Sequence, residues 1–176
     1  MVKIVSLLDR KNFISLNNFH YLLIDESYKI LLIETISNIY EVNLDHLLDY
    51  YFYINNKGKV YISKIDVDSL KIKRVNGVGL YFGTINDNGI FRPSIEGSDI
   101  IKPNSNYAIL KEERINSYLA GESLFLEDVE LFKGDVNCVY YILVWNDYYL
   151  GAISLGDKEI FNYVPKSRRV VFNKMF

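Results

Sequence analysis

This chain has little with which to build a covalent or metal framework. Its 176 residues include one cysteine, two histidines, three prolines, two methionines and one tryptophan. A lone Cys138 excludes an intramolecular disulfide scaffold and leaves secretion unsupported. It sits in the strand-like run VNCVYY, where a buried, inert thiol is expected rather than a nucleophile. His20 and His46 are far apart, and no Cys–His or HExxH spacing joins them into a metal site. Long apolar runs are missing too: no stretch approaches the roughly 18 uninterrupted apolar residues of a membrane span. The opening MVKIVSLLDRKNF lacks the apolar core and small-residue cleavage site of a signal peptide. The expectation is a cytoplasmic protein with no membrane contact, no metal and no cofactor.

Catalytic patterns are equally thin. Gly77-Val78-Gly79 lacks the third glycine of a dinucleotide loop and reads as the lead into a strand with a bulge. IDVDS offers two carboxylates at i and i+2, which do not share a helix face. No Ser/His/Asp order stands out, so the chain is not expected to be an enzyme.

Net charge is also small. Twenty bases against 22 acids give −2, and dividing the chain after Gly97 leaves 11 bases and 11 acids before the cut, and 9 and 11 after it. Neither half is basic as a whole, so any grip on a polyanion must be local. The charge is clustered. Residues 121–135 carry Glu122, Glu127, Asp128, Glu130 and Asp135 against Lys133, whereas VPKSRRVVFNKMF (164–176) carries Lys166, Arg168, Arg169 and Lys174 with no acid. A second basic stretch, 57–74, holds six bases and two acids; an exposed helix face with internal ion pairs accounts for it best.

Aromatics are abundant. Fifteen tyrosines and ten phenylalanines, in a chain 49% hydrophobic and 24% charged, favour strands and a well-filled core. YYFYI–NNKG–KVYISK (50–64) and GLYFGTI–NDNG–IFRPSI (79–95) read as hairpins around Gly-containing turns. SKIDVDSLKIKR (63–74) between them has helix-compatible spacing. Near the start, YLLID and KILLIETI fit helix or strand equally. IEGSDIIKPNS (95–105), with Gly97 and Pro103, reads as a linker.

Beyond it, NSNYAIL starts a strand, and KEERINSYLAG is a short helix with Ile115, Tyr118 and Leu119 inward and Gly121 as its cap. VNCVYYILVW, the Asn146-Asp147 turn, YYLGAISL, KEIFNYV and RRVVF then read as short strands of a closed or nearly closed barrel. Alternation within RRVVF cannot expose both arginines, which places Arg168 in the loop after Pro165.

The order AILKEERINSYLAGESLF, FKGDVNCVYYILVWNDYYLGAISL, NYVPKSRRVVF resembles the PUA domain, an RNA-binding module. Together with VYISKIDVDSL, LYFGTINDNGIFR and IIKPNSNYAIL upstream, it resembles the Nip-seven family of ribosome-biogenesis factors over roughly residues 58–172. The resemblance implies an α+β chain: an N-terminal α/β domain with antiparallel hairpins (1–97, partner contact), then a small PUA-type mixed β-barrel (98–176). It implies a non-enzymatic factor in ribosomal RNA maturation and large-subunit biogenesis, with pre-rRNA or a U-rich single strand as ligand. The RNA exosome or other ribosome-assembly factors are the implied protein partners. RNA in PUA domains lies between the helix-to-strand loop and the final strand. Carried onto this chain, that implies Gly121, Lys158, Lys166, Arg168, Arg169 and Lys174 as the RNA-binding residues, with Gly121 allowing close backbone approach. Three contacted phosphates would give a salt slope near −2, at roughly −0.7 each for single strands. Two other readings stay open on the residues themselves: an RNA-recruiting subunit of a modifying enzyme, and a protein adaptor without RNA binding.

Overall fold

The structure, a computed structural model, describes residues 14–16, 19–70 and 77–171. Two sheets build the fold, each over a core of its own. The first is antiparallel throughout, in the order β1 (Ile14–Leu16), β2 (Phe19–Leu23), β3 (Tyr51–Asn55), β4 (Lys59–Ser63), β5 (Leu80–Ile85), β6 (Phe91–Pro93). Both expected hairpins are present, as β3–β4 and β5–β6. The ambiguous early runs divide: FHYLL is β2, while KILLIETI lies within α1 (Glu26–Tyr40). Asp25 caps that helix, its carboxylate accepting from Tyr28 N–H at 3.1 Å. Leu32, Ile33, Ile36 and Tyr40 form its buried stripe, at helical spacing.

Two expectations fail here. The helix over 63–74 is absent where the chain is described: Ser63 ends β4, and only Asp68–Leu70 form a single tight turn. Side chains take over the backbone donors, Ser63 Oγ accepting from Ile65 N–H and Tyr53 Oη from Val67 N–H, in place of a helical ladder. Residues 71–76 lie outside the described residues. The expected linker at 95–105 is largely a helix, α2 (Ile95–Ile101), capped by Ser94, whose hydroxyl accepts from Gly97 N–H at 2.9 Å and donates to the Tyr81 carbonyl at 2.6 Å. It packs on β5 and on β10 of the second sheet. A side chain at Gly97 would strike the Phe82 carbonyl, so this seam needs glycine.

The second sheet runs β11 (Ile160–Asn162), β10 (Tyr148–Leu155), β9 (Tyr141–Trp145), β7 (Tyr107–Leu110), β8 (Val129–Lys133), with β7 parallel to β9 and the other pairs antiparallel. Leu124, upstream of β8, bridges Ile160 on the far edge and curls the sheet into a half-barrel. Helix α3 (Ile115–Ala120) follows a tight turn at Glu112–Arg114 and ends at Gly121, as its sequence predicts. Asn146 and Asp147 turn with positive φ between β9 and β10. The long strand expected over 136–145 begins only at Tyr141, because the Asp135 carboxylate and carbonyl hold Asn137 and Cys138 in a turn. Over 168–171 the run RRVVF is not a strand either: Lys166–Arg168 form a tight turn, and Val170 N–H bonds to the Leu119 carbonyl at the end of α3.

The halves are tied through their interior. Ile142 of β9 lies in the core formed by α1 and the first sheet, and Tyr40 donates its hydroxyl to the Tyr140 carbonyl at 3.0 Å. Burial raises the Tyr40 phenol well above its ordinary value, so it stays a donor. Among the described residues, no helix is long and apolar enough to cross a membrane.

Candidate nucleic-acid interface

The end of α3 organises the basic terminus. Gly121 adopts φ +81°, and its N–H bonds to the carbonyls of Ser117 and Tyr118 while Glu122 N–H returns to Ser117. Tyr118 is fully buried and donates to the Leu150 carbonyl at 2.7 Å. Asn162, ending β11, donates from its amide to the Tyr118 carbonyl at 2.9 Å and accepts from Val164 N–H at 2.8 Å. Helix end, β11 and the Pro165 turn are thereby clamped together.

Arg169 lies across Gly121: a Cβ there would collide with its Nε, Cδ and Cζ. The space the missing side chain leaves is filled by an arginine of this chain. Arg169 Nε also reaches the Val164 carbonyl at 3.4 Å. Arg168, in the turn after Pro165 as expected, pairs with Glu96 of α2 at 2.5 Å while remaining half exposed. Both arginines are exposed because the segment leaves strand geometry. Lys166 is exposed on the same turn. Lys158 sits in the β10–β11 turn, separated from Lys166 by the length of β11, roughly 10 Å at 3.3 Å per residue. Lys174 lies outside the described residues. Gly121 and Arg169 are thus brought together with Lys166 and Arg168 on the adjoining turn, and Lys158 is exposed in the β10–β11 turn on the other side of β11.

Of the acids over 121–135, Glu122, Glu127, Glu130 and Asp135 are exposed, but Asp128 is buried. Asp128 faces Arg114 at 3.0 Å and accepts from Phe125 N–H at 2.8 Å, a structural role.

Several residues that the sequence reading passed over lie beside the basic edge. A cleft of about 370 Å³ between the two halves is lined by Lys59, Tyr81 and Arg92 from the first sheet and by Tyr163, Ser167 and Arg168 from the terminus. The Arg92 guanidinium sits over the Tyr163 ring, 4.3 Å from its centroid, and Lys59 Nζ lies 5.5 Å from that of Tyr81. Period-two alternation in the two hairpins was the one available signal, since it sets Lys59 and Arg92 on predictable strand faces.

Cys138 is half-buried; its thiol donates to the Tyr140 carbonyl at 3.2 Å and is held above the ordinary value first by burial and also by nearby Asp135. That agrees with an inert thiol. Among the described residues no cluster of His, Cys, Asp and Glu could hold a metal ion.

No protein-family model matches this chain, and no curated protein matches it in sequence. A solved structure does: a conserved PUA domain protein from Thermoplasma acidophilum, at a TM-score of 0.57 and 12% identity, over 85% of this chain and 97% of that one. The fold is a PUA-domain fold. At that identity the likeness concerns architecture alone.

Proposed function

We propose that this PUA-fold chain is a non-enzymatic RNA-binding factor in ribosomal RNA maturation and large-subunit assembly, of the Nip-seven type, working in the cytoplasm. The observation that carries this reading is that Arg169 lies on Gly121 at the α3 end, with Lys166 and Arg168 on the turn just before it, the edge where the resemblance expects RNA. Arginine suits that role because its planar fork gives a phosphate two parallel hydrogen bonds. Arg169 is already oriented by packing on Gly121, which lowers the entropy lost on binding. The first sheet and α1 are assigned to protein contact, with the RNA exosome or other assembly factors as partners.

The test is binding to a U-rich single strand and to an rRNA-like stem-loop across a salt series, beside a variant with Lys166, Arg168 and Arg169 changed to alanine. The expected result is weaker binding by the variant with a salt slope shallower by about 2. Equal binding by both proteins would move the site elsewhere. Absence of RNA binding by the wild type would favour a protein adaptor, and base modification by the purified chain would favour an enzyme.

A further inference from the structure

Lys59, Thr84 and Arg92 form one register row across β4, β5 and β6, Lys59 pairing with Thr84 and Thr84 with Arg92. Directly paired residues of an antiparallel sheet project from the same face, so both cations rise from one side of the sheet. Tyr81 joins the row through a 2.6 Å hydrogen bond between its hydroxyl and that of Thr84. Its ring continues to Tyr61, 5.5 Å away, and from there to Tyr21 at 5.4 Å. At the other end Arg92 lies flat on Tyr163 of the second half. The result is a strip of rings interrupted by cations, opening into the cleft that Arg168 closes.

Charge within the cleft is unevenly committed. Arg168 is countered by Glu96. Lys59 and Arg92 take part in no ion pair among the described residues, and Lys59 is exposed. Free positive charge in the cleft is therefore supplied by the first sheet, not by the basic terminus. Unpaired cations interleaved with aromatic faces match single-stranded nucleic acid, whose phosphates take the cations and whose unstacked bases take the rings. A duplex keeps its bases stacked and would leave the tyrosines unused.

We infer that the cleft is a second RNA contact, in which a phosphate of a single strand sits between Lys59 and Arg92 and a neighbouring base lies against Tyr81. This rests on the RNA-binding reading above and extends the footprint from the basic edge onto the first sheet. Free nucleotides carry the same phosphate and base, so the experiment separates them from a strand.

The full chain is titrated with a fluorescent U-rich single strand across a salt series, next to a Lys59→Gln/Arg92→Gln variant and to Arg92→Lys. Uridine monophosphate serves as competitor, and a strand carrying photoreactive uridine is crosslinked and mapped. The double variant is expected to lose affinity on the order of tenfold, with a salt slope shallower by about 0.7, the share of the one phosphate held between them. Arg92→Lys keeps the slope, and the crosslinks fall on Tyr81 or Tyr163. Should the double variant misfold, Lys59→Gln alone is read, with half the slope change expected. Wild-type binding with unchanged affinity and slope in the variants overturns the inference and leaves the basic-edge reading standing. Absence of RNA binding by the wild type overturns both. Competition by the mononucleotide at concentrations matching the strand overturns the assignment to a strand.

Discussion

The side chain of Arg169 lies across the backbone of Gly121, filling the space that a Cβ on that glycine would need. The helix stop and the orientation of a basic residue therefore depend on a single position. Gly121 is required twice, by its positive φ and by this contact. Gly121→Ala is expected to lose about 1–2 kcal/mol of stability from the left-handed conformation alone. It should also displace Arg169 and weaken RNA binding at unchanged net charge. Urea denaturation and strand binding on one preparation check both effects.

Glu96 holds Arg168, and its second carboxylate oxygen is buried with no hydrogen-bond partner among the described residues. The pair is partly exposed and glutamine keeps the shape of the side chain, so Glu96→Gln should cost at most about 1 kcal/mol and move the thermal midpoint little. Removing the acid frees Arg168 and raises the potential of the cleft. Tighter RNA binding with a steeper salt dependence is the expected result, and weaker binding would show that Glu96 serves the ligand directly.

The acids of 121–135 divide into two classes that one experiment separates. Glu122, Glu127 and Glu130 are exposed, and changing all three to glutamine should raise nonspecific RNA affinity without loss of stability. Asp128→Asn should instead destabilise the fold by about 1–3 kcal/mol, because Arg114 and the Phe125 N–H lose their charged acceptor. Comparing denaturation midpoints with nonspecific binding of the two variants checks the division.

Cys138 should react slowly with iodoacetamide in the folded protein. Its thiol is raised by burial, so less thiolate is present at neutral pH than in a free cysteine, and the rate should climb with pH beyond the range where a free thiol levels off. A rate at pH 7 equal to that of the unfolded chain would contradict this.

Much of the architecture was legible because it rests on local chemistry. The NNKG and NDNG turns specify hairpins whose strands carry period-two apolar residues, and Gly121 ends a helix whose inward side chains recur at three and four. At two places a distant partner decided what the local sequence left open or misdirected. KILLIETI fits either element alone, and became a helix because its Leu32–Ile33–Ile36 stripe meets the first sheet. Ile95–Ile101 looked like a linker for its glycine and proline, yet Gly97 is there to let the helix close onto the Phe82 carbonyl.

By itself, then, the sequence determined the hairpins, the α3 stop, the basic run from Lys166 and the absence of a disulfide framework, all set by neighbours within a few residues. Tertiary structure decided which charges are available. It spent Arg168 on Glu96 and Asp128 on Arg114, turned Arg169 onto Gly121, and set Lys59 beside Arg92 through Thr84. A charge's effect depends on what lies within a few ångströms of it, and for these residues those neighbours are distant in the chain.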